Sequence, residues 1–108
     1  MSGKHEPPKG VQEAAQRALK WIEDGKAGKG FTETGEHRAE QLAHGEKVDD
    51  DVVRRMRSYF SRHAPDRDAE GFSQGGKGFP SPGRVAWDAW GGDPGKRWAE
   101  SQRIEGDD

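Results

Sequence analysis

The sequence predicts an all-α fold, a compact bundle of four to five short helices with a long glycine-rich loop before tryptophan-rich C-terminal helices. Three observations lead there. Apolar residues recur at helical spacing in several short segments, each segment starts or stops on a capping residue or glycine, and no segment alternates with the period of two that marks a half-buried strand.

The elements follow in order. Residues 1–9 are polar, contain Pro7-Pro8, and read as a flexible lead. Val11, Ala14, Ala15, Ala18, Leu19 and Ile22 then fall on one stripe of a helix starting near Gly10 and stopped by Gly25. The run 25–31, GKAGKGF, connects it to a second helix capped by Thr32 or Thr34, with Ala39, Leu42 and Ala43 inward and Gly45 at its end. The third helix is the most sharply marked. Asp49 caps it, Asp50 and Asp51 occupy the first turn where the dipole favours anions, and Val48 and Val53 have the spacing of a hydrophobic staple. Its apolar face is Val52, Val53, Met56, Tyr59, Phe60 and His63, and Pro65 follows its end. Residues 64–80 form the long loop, with Phe72 and Phe79 as anchors to the core. Ser81-Pro82 starts a short helix through RVAWDAW, residues 84–90, and Asp93-Pro94 starts the last, which carries Trp98 and Ala99.

A chain of 108 residues holds one domain, taken here as 10–100, with an acidic tail at 101–108. Only 29% of residues are hydrophobic and 35% are charged, so the core rests on four Trp, four Phe and one Tyr. The expected core is Leu19, Ile22, Leu42, Val53, Met56, Phe60, Val85, Trp90 and Trp98. The net charge of −2 gives the whole molecule no strong pull on nucleic acid or membranes. The lack of cysteine excludes disulfides, thiolate nucleophiles and Cys-based zinc sites. No stretch reaches the ~20 apolar residues of a membrane span, and no signal peptide is evident, so an intracellular, soluble protein is expected.

Few residues suggest chemistry. The glycine-rich run 25–30 follows a helix and leads into Phe31, whereas a phosphate-cradling loop follows a strand and opens a helix; a linker is expected. His37, Glu40 and His44 share a helical face and could ligate a metal, but a closed site needs a fourth ligand, so a solvated polar face is the default and no metal or cofactor is assigned. Ser58 and His63, five apart on a helix, diverge, and Asp50 with Asp51 suits a helix start better than acid–base work. No enzyme is expected.

Two features could bind a partner. Arg54, Arg55, Arg57 and Arg62 give the third helix four positive charges, and with the second helix it could form a helix-turn-helix pair on DNA or RNA; its acidic first turn argues against that docking, and an acidic protein partner is the alternative. Trp87 points away from the face of Trp90, Val85, Ala86 and Ala89, so it either packs under the long loop or forms an exposed interface anchor.

With these motifs in view, the sequence resembles a small module of tailed bacteriophages and prophages. The likeness lies in KGVQEAAQRAL (9–19), the glycine-rich turn, HRAEQLAHGE (37–46), VRRMRSYFSRH (53–63) and PSPGRVAWDAWGGDPGKRWA (80–99). Such modules stand alone or are attached to head-assembly proteins, including prohead-protease-like ones. The resemblance implies a non-enzymatic structural or head-assembly role exercised through contact with a phage or host protein, in the host cytoplasm, with the virion as the alternative. It carries over no catalytic residues.

Overall fold

Capping chemistry decides where the helices begin. In the computed structural model, which describes residues 4–28 and 31–104, five α-helices run Lys9–Glu23 (α1), Glu33–Ala43 (α2), Asp50–His63 (α3), Pro82–Ala89 (α4) and Gly92–Ser101 (α5) among the described residues. Thr32, rather than Thr34, caps α2 by accepting from Gly35 N at 3.1 Å. Asp49 caps α3 through Val52 N at 3.1 Å, and Ser81 caps α4 through Arg84 N at 3.1 Å. Val48 and Val53 are both buried, as a staple requires.

α1 is the central helix, packed against α2, α4 and α5. It buries the small residues Ala14, Ala15 and Ala18, and Ala18 meets Ala39 of α2 and Ala89 of α4. Alanines let three backbones approach closely, which pushes Leu19 and Ile22 to half-buried flanks instead of the expected core. Leu42, Val53, Met56, Phe60 and Val85 are fully buried as expected. The radius of gyration, 13.4 Å, matches the ~13 Å of a compact chain of this length. Among the described residues no helix is long and apolar enough to cross a membrane.

Three expectations are corrected. A two-residue antiparallel pairing joins Lys4–His5 (β1) to Val48–Asp49 (β2), where no strand was expected. Two residues are too few to show alternation. Residues 4–8 are therefore held rather than loose. His5 is buried, its Nε2 lies 2.6 Å from Asp50 Oδ1, and its Nδ1 lies 3.0 Å from Gln102 Oε1. This ring ties the N-terminal segment to the start of α3 and the end of α5. Residues 1–3 and 105–108 lie outside the described residues, while Ile104 is buried. Finally, α5 begins at Gly92, not at an Asp93 cap. Gly91 stands at φ 110° with its ideal Cβ position 2.9 Å from Gly95 Cα, so the α4–α5 corner is too tight for a side chain. Asp93 instead accepts from Trp87 Nε1 at 2.9 Å.

The loop between α3 and α4 opens with a 3₁₀ turn over Ala64–Asp68 and closes through Ser81 N to Gly71 O at 2.9 Å. Both phenylalanines anchor it. Phe72 meets Trp87 edge-on, and Phe79 meets Trp21 edge-on at 5.4 Å. Arg84 stands between them, its guanidinium 5.4 Å from the Phe72 ring and 5.3 Å from the Phe79 ring, and its Nη1 donates to Phe72 O at 2.8 Å. Arg84 and Arg17 also grip Asp88, which is 1% exposed: Arg17 Nε donates at 2.8 Å and Arg84 Nε at 3.3 Å. Burial pushes the Asp88 carboxyl above the usual carboxylate range, and the two arginines pull against that shift.

Candidate functional site

α3 sorts its side chains by helical geometry. Val53, Met56 and Phe60 face the core, while Arg54, Arg55, Ser58 and Arg62 stand on the solvent side. The five residues singled out by sequence, Arg54, Arg55, Arg57, Arg62 and Trp87, meet three different fates. Arg54, Arg55 and Arg62 line one groove, together with Ser58, Thr34 of α2 and Trp90, enclosing about 510 Å³. Arg57 does not join them. It lies on the stripe of Val53 and Phe60, is half-buried, and donates through Nε to Ala99 O at 2.8 Å and through Nη2 to Gln102 O. It satisfies carbonyls at the C-terminal end of α5, where a cation also complements the helix dipole.

Trp87 is not an exposed anchor. It is 1% exposed, packed on Phe60 at 4.8 Å and on Phe72 at 5.5 Å under the loop. Trp90, expected in the core, takes the more open position. On a helix of eight residues, Val85, Asp88 and Ala89 turn toward α1. Gly83, Ala86 and Trp90 form the side that opens on an adjoining recess of about 350 Å³. That recess shares Arg62 and Trp90 with the arginine groove and adds Phe31 and Tyr59.

Trp90 is held by two partners. Tyr59 stacks on it at 5.0 Å with the planes 10° apart, and the Arg38 guanidinium lies over the indole at 5.5 Å. Sequence reading missed Arg38. It sits on α2 one turn after Thr34, so both residues can face α3, and it is buried with 8% exposure. Arg38 Nη1 donates to Gln41 Oε1, but Nε has no hydrogen-bond partner among the described residues. Burial, followed by the nearby Arg55 charge, lowers the Arg38 pKa, against the pull of Asp49 and Asp51. Burial likewise pushes the Tyr59 hydroxyl far above its ordinary range, aided by Asp66 and Asp88.

Around the groove, Arg55 pairs with Asp51 at 2.9 Å in an exposed i,i+4 bridge. No ion pair reaches Arg62 among the described residues. Ser58 and His63 are not brought together: Ser58 lines the arginine groove, while His63 stacks on Tyr59 and its Nδ1 lies 2.9 Å from Asp66 Oδ2. His37, Glu40 and His44 are exposed on α2, and no group of three metal-ligating side chains occurs among the described residues. The second and third helices do not form a helix-turn-helix pair, because α2 packs on α1 and α4 while α3 packs on α5 and β1.

The lining of the groove is therefore donors: three guanidinium groups and two hydroxyls beside an aromatic floor, with a fourth, buried guanidinium against that floor. A donor-rich lining of this kind is complementary to anions. Comparison with family models, with curated proteins and with solved structures finds no match to the chain.

Proposed function

We propose that this protein is a non-catalytic interaction module of the tailed-phage head-assembly kind, and that it works by docking a partner protein in the groove between α2 and α3. The observation that carries this reading is the gathering of Arg54, Arg55, Arg62 and the buried Arg38 around Trp90 on a molecule whose net charge is −2. Like charges collected in one concave site on an otherwise acidic chain favour a ligand of opposite sign. The phage setting comes from the sequence resemblance alone. It is tested by quantifying the protein in mature particles and prohead intermediates from producing cells. Stoichiometric presence in either is expected, and absence from both overturns the assembly role.

The same arginines support a second reading, binding of DNA or RNA phosphates. Here Arg57 is committed to α5, and the groove is lined by at most three other arginines beside the buried Arg38. Asp49, Asp50 and Asp51 stand at the end of α3 that a recognition helix would present to bases. Three neutralised phosphates give a log-affinity slope of about −2.7 against log salt on duplex DNA, so binding confined to low salt is expected of this reading at most. Fluorescence anisotropy with labelled duplex and single-stranded DNA decides it. Tight binding at physiological salt would replace the protein-docking reading.

A further inference from the structure

We infer that the occupant of the α2–α3 groove is an acidic segment of the partner protein, whose carboxylates engage Arg55 and Arg62 while an apolar side chain rests beside Trp90. The inference rests on the docking reading above and names its ligand. Guanidinium forks match carboxylates in bidentate fashion, and two of them stand seven residues apart on one helix. Seven residues of α-helix advance about 10 Å, a span that roughly three residues of extended chain cover. The segment expected is thus one with acidic residues two or four apart, which share one face of an extended chain and bracket that span.

Three observations favour carboxylates on a peptide over a nucleic-acid strand. The groove has a polarity: Asp51 stands at the Arg55 end and Arg62 at the other. A peptide can place a neutral residue beside Asp51, whereas a phosphodiester backbone brings charge at every step. The indole of Trp90 is already engaged by Tyr59 and Arg38, which leaves it poorly suited as a stacking platform for bases. The start of α3 also carries Asp49, Asp50 and Asp51, whose negative charge opposes the approach of phosphates.

The site is also primed for exchange. The Arg55–Asp51 bridge is exposed on both sides, with side-chain exposures of 60% and 65%, so an incoming carboxylate can displace Asp51 cheaply. Arg38 is buried against the Trp90 ring with its Nε unsatisfied, and an anion in the adjoining groove lowers the cost of holding that charge.

The test uses the full chain and a fluorescein-labelled peptide of repeating Glu-Thr units, which favours extended chain and places every carboxylate on one face. Its controls are the Gln-Thr peptide and single-stranded DNA of equal charge. Anisotropy and amide shift mapping are the readouts. The acidic peptide is expected to bind and to shift Ser58, Arg62 and Trp90 resonances, and the Gln peptide is not. The double variant R55Q/R62Q, on exposed positions and checked for native circular dichroism, is expected to weaken binding at least about tenfold, or roughly 1.4 kcal/mol. Shift mapping on the unaltered protein reads the same question without any variant. Unchanged affinity in R55Q/R62Q, shifts confined to another surface, or no peptide binding each overturns the acidic-segment inference. The protein's presence in proheads would then leave the docking reading standing. DNA bound more tightly than the peptide, with shifts in this groove, overturns both.

Discussion

Asp88 is buried with its two oxygens divided between Arg17 and Arg84, and it lies close against Gly92. A Cβ at Gly92 would come within 2.9 Å of Asp88 Oδ1. Because burial raises its pKa from 3.8, the folded chain holds this proton more tightly than the unfolded chain. The group's contribution to stability is then greatest in acid, below 3.8, and is lost as pH rises through the raised folded value. At neutral pH the arginines recover part of that loss through charge-assisted bonds. Asp88→Asn is therefore expected to remove this falling limb from a plot of urea midpoint against pH. The same variant should lose roughly 1–3 kcal/mol at pH 7 as the bonds to both arginines weaken. A variant that keeps the wild-type pH slope would show that the slope belongs to other carboxylates.

At the scale of elements, what was legible in the sequence is what is encoded locally. The caps at Asp49 and Ser81, the staple of Val48 and Val53, and the stripe of Met56 and Phe60 depend on residues three to five apart, and all lie where their spacing put them. The β1–β2 pairing and the His5–Asp50 contact join residues more than forty positions apart, and nothing local announces them. The tryptophans around α4 needed tertiary context for a related reason: Trp87 takes the place under the loop that one of its two expected readings gave it, whereas Trp90, expected in the core, is only half-buried because Val85 and Ala89 occupy the inward side. The loop that covers Trp87 shows how one charged residue can organise an irregular element. Phe72, Phe79 and the Phe72 carbonyl all converge on Arg84, and the rest of residues 73–78 is exposed. Arg84→Met keeps the stem of the side chain but removes the bond to Phe72 O, the bridge to Asp88 and the cation–ring contacts with Phe72, Phe79 and Trp21. The helices are expected to persist by circular dichroism while trypsin cleaves after Lys77 several-fold faster, local opening being easier where few contacts hold a segment. Equal cleavage rates in the two proteins would assign the loop's order to Phe72 and Phe79 alone.

At the scale of the whole molecule, the groove is assembled from three helices, and the sequence disclosed only one wall of it. Arg54, Arg55 and Arg62 were visible as a basic run on α3, but Thr34 and Arg38 come from α2 and the Trp90 floor from the end of α4, and those two helices pack on each other as well as on α1. Arg57 looked equal to its neighbours until α5 supplied carbonyls for it to bind. This tertiary construction also predicts a conflict between stability and binding. A fold selected for stability alone has little reason to bury Arg38 with an unpartnered Nε near the charge of Arg55, and its lowered pKa means that folding disfavours the cation. A methionine of similar length fills the same space and keeps a favourable contact with the Trp90 ring. Arg38→Met is therefore expected to leave stability unchanged or raise it by about 1–2 kcal/mol, since apolar replacement of a desolvated charge removes its penalty. The same variant is expected to lower affinity for the acidic peptide, because the cation nearest the indole is gone. Thermal melts and anisotropy on one preparation separate the two effects. If Arg38→Met melts lower and still binds normally, Arg38 serves the fold, through its stack on Trp90 and its bond to Gln41, and the anion-receiving role falls to the exposed arginines of α3.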